Sequence, residues 1–331
     1  MQEYLIDLLC CPICHGDLSW TITARKGSQI EEGTSSCVEC GAEYPIRQGI
    51  AVYLTASDNP EDLWQDVESN LMSAIKENPD LNKALMNSSI ESLNPADQFF
   101  RAMALEELGD FEGAESAEKI AHKGLYTREF LDCWKAQVEY LIGKLERENG
   151  PIIDIASGRC YLVKEMVQGL AAPIVASDFS LQVMKRNRQW LEFHGLTERV
   201  SLLVFDARQS PFKTRSIQCM TTNLGLPNMR GATSVYNELR RVVSGRFLGI
   251  SNFYLEQDAN AETIASYGLA ELLYEKQLEV GLSEAGFRID IENRCRGEAK
   301  PTPVGEVLKD AQIDGLPVAD TDIDWCVIQA S

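Results

Sequence analysis

The chain is short of positive charge. Its 331 residues carry 31 lysines and arginines against 50 aspartates and glutamates, a formal net charge of −19, and the acids run along the whole length. A field of that sign repels polyanions, and each phosphate contact needs a cation that nucleic-acid binders cluster on one face. The one dense basic stretch is Lys185-Arg-Asn-Arg188. Nucleic acid is therefore a disfavoured partner, although charge alone does not rule it out. Histidine is scarce too: there are three, and His122 and His194 lie in helical stretches of mixed polarity that suit surface or internally satisfied roles. No catalytic acid–base dyad can be read from them. No apolar run approaches a bilayer span, so no membrane partner is expected. Residues 1–10 place acids inside their apolar part without a basic start, unlike a secretory leader. Internal repeats and low-complexity tracts are missing as well.

What the chain does have is ten cysteines, four of them in two knuckles, Cys11-Pro-Ile-Cys14 and Cys37-Val-Glu-Cys40. Four thiolates at C-x2-C…C-x2-C spacing make a tetrahedral Zn2+ site, with disulfides as the weaker alternative. A closed shell of four sulfurs leaves no open coordination position, so the zinc is structural. Cys10 reads as a core thiol, with His15 a less favoured ligand. The remaining cysteines are scattered singly, which fits a reducing, cytoplasmic setting. Leu18–Ile30 reads as a hairpin and Ala42–Leu54 as a closing strand pair. This segment resembles the zinc-ribbon activator proteins of methyltransferases, and also the ribbon fused ahead of certain ribosomal RNA guanine methyltransferases. The resemblance implies a possible protein partner bound through the ribbon. Loss of zinc is expected to unfold the ribbon and leave the C-terminal half largely folded.

The centre of the chain is Pro151-Ile-Ile-Asp154-Ile-Ala156-Ser157-Gly158-Arg-Cys160-Tyr161. A short apolar run breaks at small residues and enters a helix at Leu162–Leu170, the opening of a nucleotide-binding βαβ unit. Small residues let backbone N–H groups and a helix N-terminus approach a ligand. Two further strands end in acid, Ile174–Asp178 and Val200–Asp206. Three acid-tipped strands at helix-length intervals resemble the class I S-adenosylmethionine-dependent methyltransferases. In that family Asp154 would end the first strand, with Ala156, Ser157 and Gly158 at the methionine end of the cofactor. Asp178, with Phe179 beside it, would take the ribose hydroxyls, and Asp206 with Ala207 would meet the adenine amino group. The usual turn, Asp-x-Gly-x-Gly-x-Gly, keeps only its central glycine here. Ala156 and Cys160 replace the outer two, and the Cβ of Cys160 threatens to crowd the helix start. A Rossmann oxidoreductase fits less well, because Gly-x-Gly-x-x-Gly is absent and the third acid would go unexplained.

Between ribbon and turn, apolar residues recur at three- and four-residue intervals in Leu63–Ile75, Phe99–Leu108 and Phe130–Leu145. Asn78-Pro, Asn94-Pro and Leu108-Gly-Asp break the pattern into short helices. The resemblance implies a lid here, with Tyr126, Phe130 and Trp134 facing the substrate or packing between helices. Beyond Asp206, Ser216–Asn223 reads as the fourth strand, and Asn223 at its end would face the transferable methyl group. Asn228, Asn252 and Tyr254 are further polar groups at strand ends. A helix is expected over Ala261–Glu279, and Asp324–Ala330 reads as a final antiparallel strand. The expected architecture is α/β: a zinc ribbon over 1–56, a helical linker or lid over 57–149, and a Rossmann-like seven-stranded methyltransferase sheet over 150–331. The expected activity is methyl transfer from S-adenosylmethionine to a small-molecule acceptor by in-line displacement, with Asn223 and Tyr126 at the reaction centre. Alternatives are an RNA or translation-linked protein methyltransferase, or a non-catalytic cofactor-binding scaffold.

Overall fold

The computed structural model describes residues 1–55, 63–229, 231–309 and 311–331, with side chains omitted over 63–69. The expected boundary at 56/57 lies outside the described residues. The ribbon is an antiparallel meander of β1 (Leu18–Lys26), β2 (Gln29–Cys37), β3 (Glu43–Arg47) and β4 (Ile50–Val52). Five helices follow: α1 (Leu63–Glu77), α2 (Pro79–Met86), α3 (Pro95–Glu107), α4 (Phe111–Leu125) and α5 (Arg128–Leu145). The dipeptides that break the apolar pattern are their caps. Asn78 accepts from Leu81 N, Asn94 from Asp97 N and Asp110 from Gly113 N, at 2.9–3.1 Å. Proline at the first helical position then loses no hydrogen bond.

The rest is doubly wound, with β5 (Ile152–Asp154), β6 (Ile174–Asp178), β7 (Val200–Val204), β8 (Ile217–Asn223) and β9 (Val243–Phe253) parallel, linked by α6 (Tyr161–Gly169), α7 (Leu181–Phe193) and α8 (Ala232–Val242). Mainly aliphatic runs such as Val200-Ser-Leu-Leu-Val204 suit strands buried on both faces, and all five of those residues, Ser201 included, are buried. The chain then enters α9 (Ala261–Ser266), α10 (Ala270–Leu273) and α11 (Glu275–Glu284). The single helix expected over Ala261–Glu279 is therefore interrupted: Gly268 takes φ +67° between α9 and α10, outside helical space. Two long strands finish the fold, β10 (Ile289–Ala299) and β11 (Thr321–Ala330), with β11 antiparallel between β9 and β10.

The sheet has eleven strands rather than seven, in the order β1-β2-β3-β4-β7-β6-β5-β8-β9-β11-β10. The seven expected strands are there, and the ribbon adds four because β4 pairs in parallel with β7, Ile50 to Val52 against Leu202 to Val204. An edge strand left open would present unpaired N–H and C=O groups; here the ribbon covers it. One apolar core runs through both parts, joining Leu5, Leu9, Tyr44 and Tyr53 to Ile153, Val175, Phe205 and Phe212. Arg188 on α7 adds polar links, donating to Gln48 O at 2.8 Å and pairing with Glu31 at 3.1 Å.

The helical insert has its own core, built from α1 to α4 with Val307, Leu308 and Ile313 of the β10–β11 connection. Fully buried Asp97 fixes that connection by accepting from the backbone N–H groups of Glu306, Val307 and Leu308 at 2.8–3.0 Å. One cysteine pair departs from the single-thiol pattern: Cys133 on α5 is disulfide-bonded to Cys295 on β10. Their separation of 162 residues hides the pair from any spacing argument.

The shared sheet and core argue against a ribbon that unfolds by itself. Zinc chelation, or Cys37→Ser, should lower a single calorimetric transition covering the whole chain. Two resolved transitions, with the later one unmoved, would restore the picture of independent halves.

Candidate functional site

In an open parallel sheet, ligands bind where the strand order reverses, outside the carboxyl ends of the strands. Here that point lies between β5 and β8. The turn after β5 holds a left-handed backbone at alternate residues, with φ +50° at Ala156, +49° at Gly158 and +59° at Cys160. The two non-glycine residues keep the conformation that glycines would take freely, at a cost of about 1–2 kcal/mol each. A Cβ placed on Gly158 would meet nothing within 4 Å, so space is open beside the turn's midpoint. Ala156 is accommodated from across the crevice. Gly225, in the loop after β8, lies so near that a Cβ there would come 2.8 Å from that of Ala156. Cys160 starts the helix from φ +59°, and its side chain is 3% exposed, part of the apolar core on that side of the sheet.

The strand-end acids differ in state. Asp154 is 1% exposed; burial pushes its carboxyl up to about 7, and the Thr221 hydroxyl donates to its Oδ1 at 2.8 Å. Ser157 stitches strand ends together: its hydroxyl donates to Asp154 O and accepts from Ser177 N. Asp178 accepts from Gly158 N at 2.9 Å and Ser180 N at 3.0 Å, so turn and second acid are in direct contact. Phe179 beside it is half-buried. Asp206 is gripped by Arg208, whose Nε lies 2.9 and 3.0 Å from its two oxygens, with half-buried Ala207 between them in sequence.

At the end of β8, Asn223 Oδ1 accepts from the indole N–H of Trp134 at 3.1 Å. Trp134 therefore touches the crevice directly, whereas Tyr126 stands further off. The Tyr126 hydroxyl donates to Asp314 at 3.0 Å, and its ring stacks on Phe130 at 4.7 Å. Between them sits His122, whose ring centre lies 5.7–6.2 Å from those of Phe99, Tyr126, Trp134 and Tyr161. Burial lowers the pKa of His122, with Glu118 opposing and Arg159 assisting. Neither Asp314 nor the convergence on His122 was legible in the sequence, because both depend on the helical insert meeting the β10–β11 connection.

Arg159, within the turn itself, is the other unforeseen residue. It is 6% exposed and pairs with Glu106 on α3 at 2.7 Å and Glu118 on α4 at 2.8 Å, beneath the Phe99 ring at 5.4 Å. Burial works against ionisation of Glu118, but Arg159 and the Tyr161 hydroxyl outweigh it and hold the carboxyl below its ordinary range. The basic stretch on α7 is likewise internal. Arg186 lies 3.6 Å from Glu106, and Arg188 pairs with Glu31 and Glu192, so only Lys185 faces outward.

In the ribbon, the sulfurs of Cys11, Cys14, Cys37 and Cys40 all lie within 4.8 Å of one another. Zn–S bonds of about 2.3 Å imply sulfur–sulfur edges of about 3.8 Å in a tetrahedron. The Cys11–Cys40 and Cys14–Cys37 edges, 3.6 and 3.4 Å, fit a zinc ion. The Tyr44 hydroxyl, 3.2 Å from Cys11 Sγ, and Cys40 N, 3.4 Å from Cys37 Sγ, steady the thiolates.

Residues 2–49 match the family described as Trm112p-like protein, and residues 127–260 match the ubiE/COQ5 methyltransferase family. Among curated relatives, the ubiquinone/menaquinone biosynthesis C-methyltransferase UbiE of Hahella chejuensis is 26% identical over 106 residues, and that of Proteus mirabilis 27% over 106. The alignments take in 31% of this chain and 43% and 42% of those relatives. Solved structures that overlay include the YcgJ protein of Bacillus subtilis, at 13% identity and TM-score 0.47 over 59% of this chain and 97% of that one. A putative methyltransferase of Bacillus halodurans overlays at 18% identity and TM-score 0.44, over 58% and 96%.

Two outcomes follow from the buried charges. Folded Asp154 holds its proton to about pH 7, whereas the unfolded chain releases it near the ordinary 3.8. The stability it contributes is complete below about pH 4 and is lost as pH rises towards 7. Asp154→Asn should flatten that decline in melting temperature; an unchanged slope would show that the group titrates normally. Arg159→Ala should lower unfolding free energy by about 3–5 kcal/mol in denaturant titration, because buried Glu118 loses its cation and Glu106 keeps only Arg186, 3.6 Å away.

Proposed function

We propose that this chain, which joins a Trm112p-like segment to a segment of the ubiE/COQ5 methyltransferase family, transfers a methyl group from S-adenosylmethionine to a small-molecule acceptor. The observation that carries the reading is the left-handed turn at Ala156, Gly158 and Cys160 in contact with Asp178 beside open space. Such a turn lets the backbone come close to a nucleoside-bearing ligand, and a carboxylate oxygen that accepts one N–H can still accept a ribose hydroxyl. Asp178 takes the ribose hydroxyls, with Phe179 flanking. Asp154, Ala156, Ser157 and Gly158 form the methionine end, and Asp206 with Ala207 the adenine end. The three segments 1–56, 57–149 and 150–331 act as ribbon, lid and catalytic domain.

When bound, the cofactor supplies a sulfonium-held methyl group, which needs alignment and exclusion of water more than acid–base help. Asn223, held by Trp134, orients the acceptor in line. Tyr126, committed to Asp314, closes the far side of the aromatic cluster and acts as a wall rather than on the reacting atoms. The rings around His122 suit a flat, apolar acceptor, and the relatives' printed activity points to carbon as the atom methylated. Nucleic acid is a poor fit, since both arginines of the one dense basic stretch lie against acids and only Lys185 faces outward. The chain's own β7 takes up the β4 edge of the ribbon, so a protein partner would use β1 or the knuckles. We place the protein in the cytoplasm; among the described residues no helix is long and apolar enough to cross a membrane.

Asp178→Ala should weaken binding of S-adenosylhomocysteine by about tenfold or more in calorimetry, from the loss of hydrogen bonds to a charged group. Equal affinity in parent and variant would sink the assignment. Cofactor binding without methyl transfer to any quinol-type or phenolic acceptor would favour a scaffold.

A further inference from the structure

A cleft of about 390 Å³ opens where the first zinc knuckle meets the loop after β7. It is an open, mainly polar groove rather than an enclosed cavity. Its walls come from two parts of the chain that sequence places some two hundred residues apart: Pro12 and Ile13 of the knuckle, Asp206 and Arg208 of the loop, and Ser234 and Glu238 of α8. Backbone contacts hold knuckle and loop in register. Cys10 N donates to Pro211 O at 2.8 Å, Lys213 N donates to Leu8 O at 2.9 Å, and Leu9 and Phe212 form an antiparallel bridge. Glu238 is occupied structurally, accepting from Ser210 N and Oγ and from Arg241. The other polar groups lining the cleft are His15, Asp206, Arg208, Gln209 and Ser234. The apolar groups are Pro12 and Ile13, and Ile13 is 49% exposed.

We infer that the first zinc knuckle forms one wall of the adenine end of the cofactor site, with Ile13 lying against the face of the ring whose amino edge Asp206 reads. The inference rests on the proposed cofactor. Apolar side chains and a carboxylate lining one cleft suit a flat heteroaromatic ring with a donor on its edge: the face sheds water against Ile13 and Pro12, and the amino group finds an acceptor in Asp206. The Asp206–Arg208 pair sits in the same cleft, so the guanidinium would shift towards Ser234 as the amino group arrives. The zinc ion thereby acts on ligand affinity through geometry, by fixing the loop that carries Ile13 between Cys11 and Cys14.

The test is calorimetry on the zinc-loaded full chain with S-adenosylhomocysteine and with methylthioadenosine, which keeps the adenosine and lacks the amino-acid part. Ile13→Ser should weaken both ligands by roughly five- to tenfold, with Ile13→Val recovering most of the loss and zinc stoichiometry matching the parent. Val38→Ser makes a similar change on the second knuckle, at a residue 63% exposed and outside the cleft lining, and should leave both affinities alone. Parental affinity in Ile13→Ser would overturn the inference while leaving the cofactor assignment intact. Equal weakening by both serine variants would also overturn it, because the effect would then come from ribbon order in general. If the parent binds neither ligand, the cofactor reading falls and takes this inference with it.

Discussion

Three parallel backbone steps, Ile50 to Val52 against Leu202 to Val204, decide how this molecule is put together. Without them β7 would be an open edge and the ribbon a small metal-held module on a tether. With them, a meander of modest apolar content gains the core of a large α/β sheet, and the sheet gains a cover for its most exposed strand. The pairing also fixes position. β7 runs into the loop that carries Asp206, and β4 anchors the meander whose first knuckle faces that loop. The metal site and the third strand-end acid are neighbours because of strand register.

The insert is tied to the other side of the crevice by charge. Arg159 belongs to the turn, yet its partners Glu106 and Glu118 belong to α3 and α4. Both acids are as deeply buried as the guanidinium, and Arg186 on α7 also lies 3.6 Å from Glu106, so losing one partner leaves a charge buried without its full complement. The same turn departs from an all-glycine sequence and compensates across the crevice, Gly225 making room for the methyl of Ala156. In both cases the turn owes its shape to residues far away in sequence.

Much of this was legible in the chain. The knuckles, the acid-tipped strands and the asparagine and aspartate caps of the insert are local signals, each set by a few neighbouring residues, and the structure shows those elements in place. What escaped was non-local. The extra four strands of the sheet depend on β4 meeting β7, and nothing within Ile50–Val52 announces a partner. Arg159 reads as a variable position in a turn until the insert folds over it. Tyr126 and Trp134 read alike in the sequence as aromatics of the insert, but only the indole reaches Asn223, while the Tyr126 hydroxyl bonds Asp314. The break at Gly268 was a local signal passed over, since apolar spacing on either side continued through it.

The Cys133–Cys295 bond sits on either side of β5 through β9 in the chain, so it closes a covalent ring containing Asp154, Asp178, Asp206 and Asn223. Any single backbone cut between those cysteines would leave both fragments attached until the bond is reduced. The crevice is thus framed by a loop of chain with no free end inside it, and the helix bearing Trp134 cannot drift from the sheet it rests on even if the intervening strands fray.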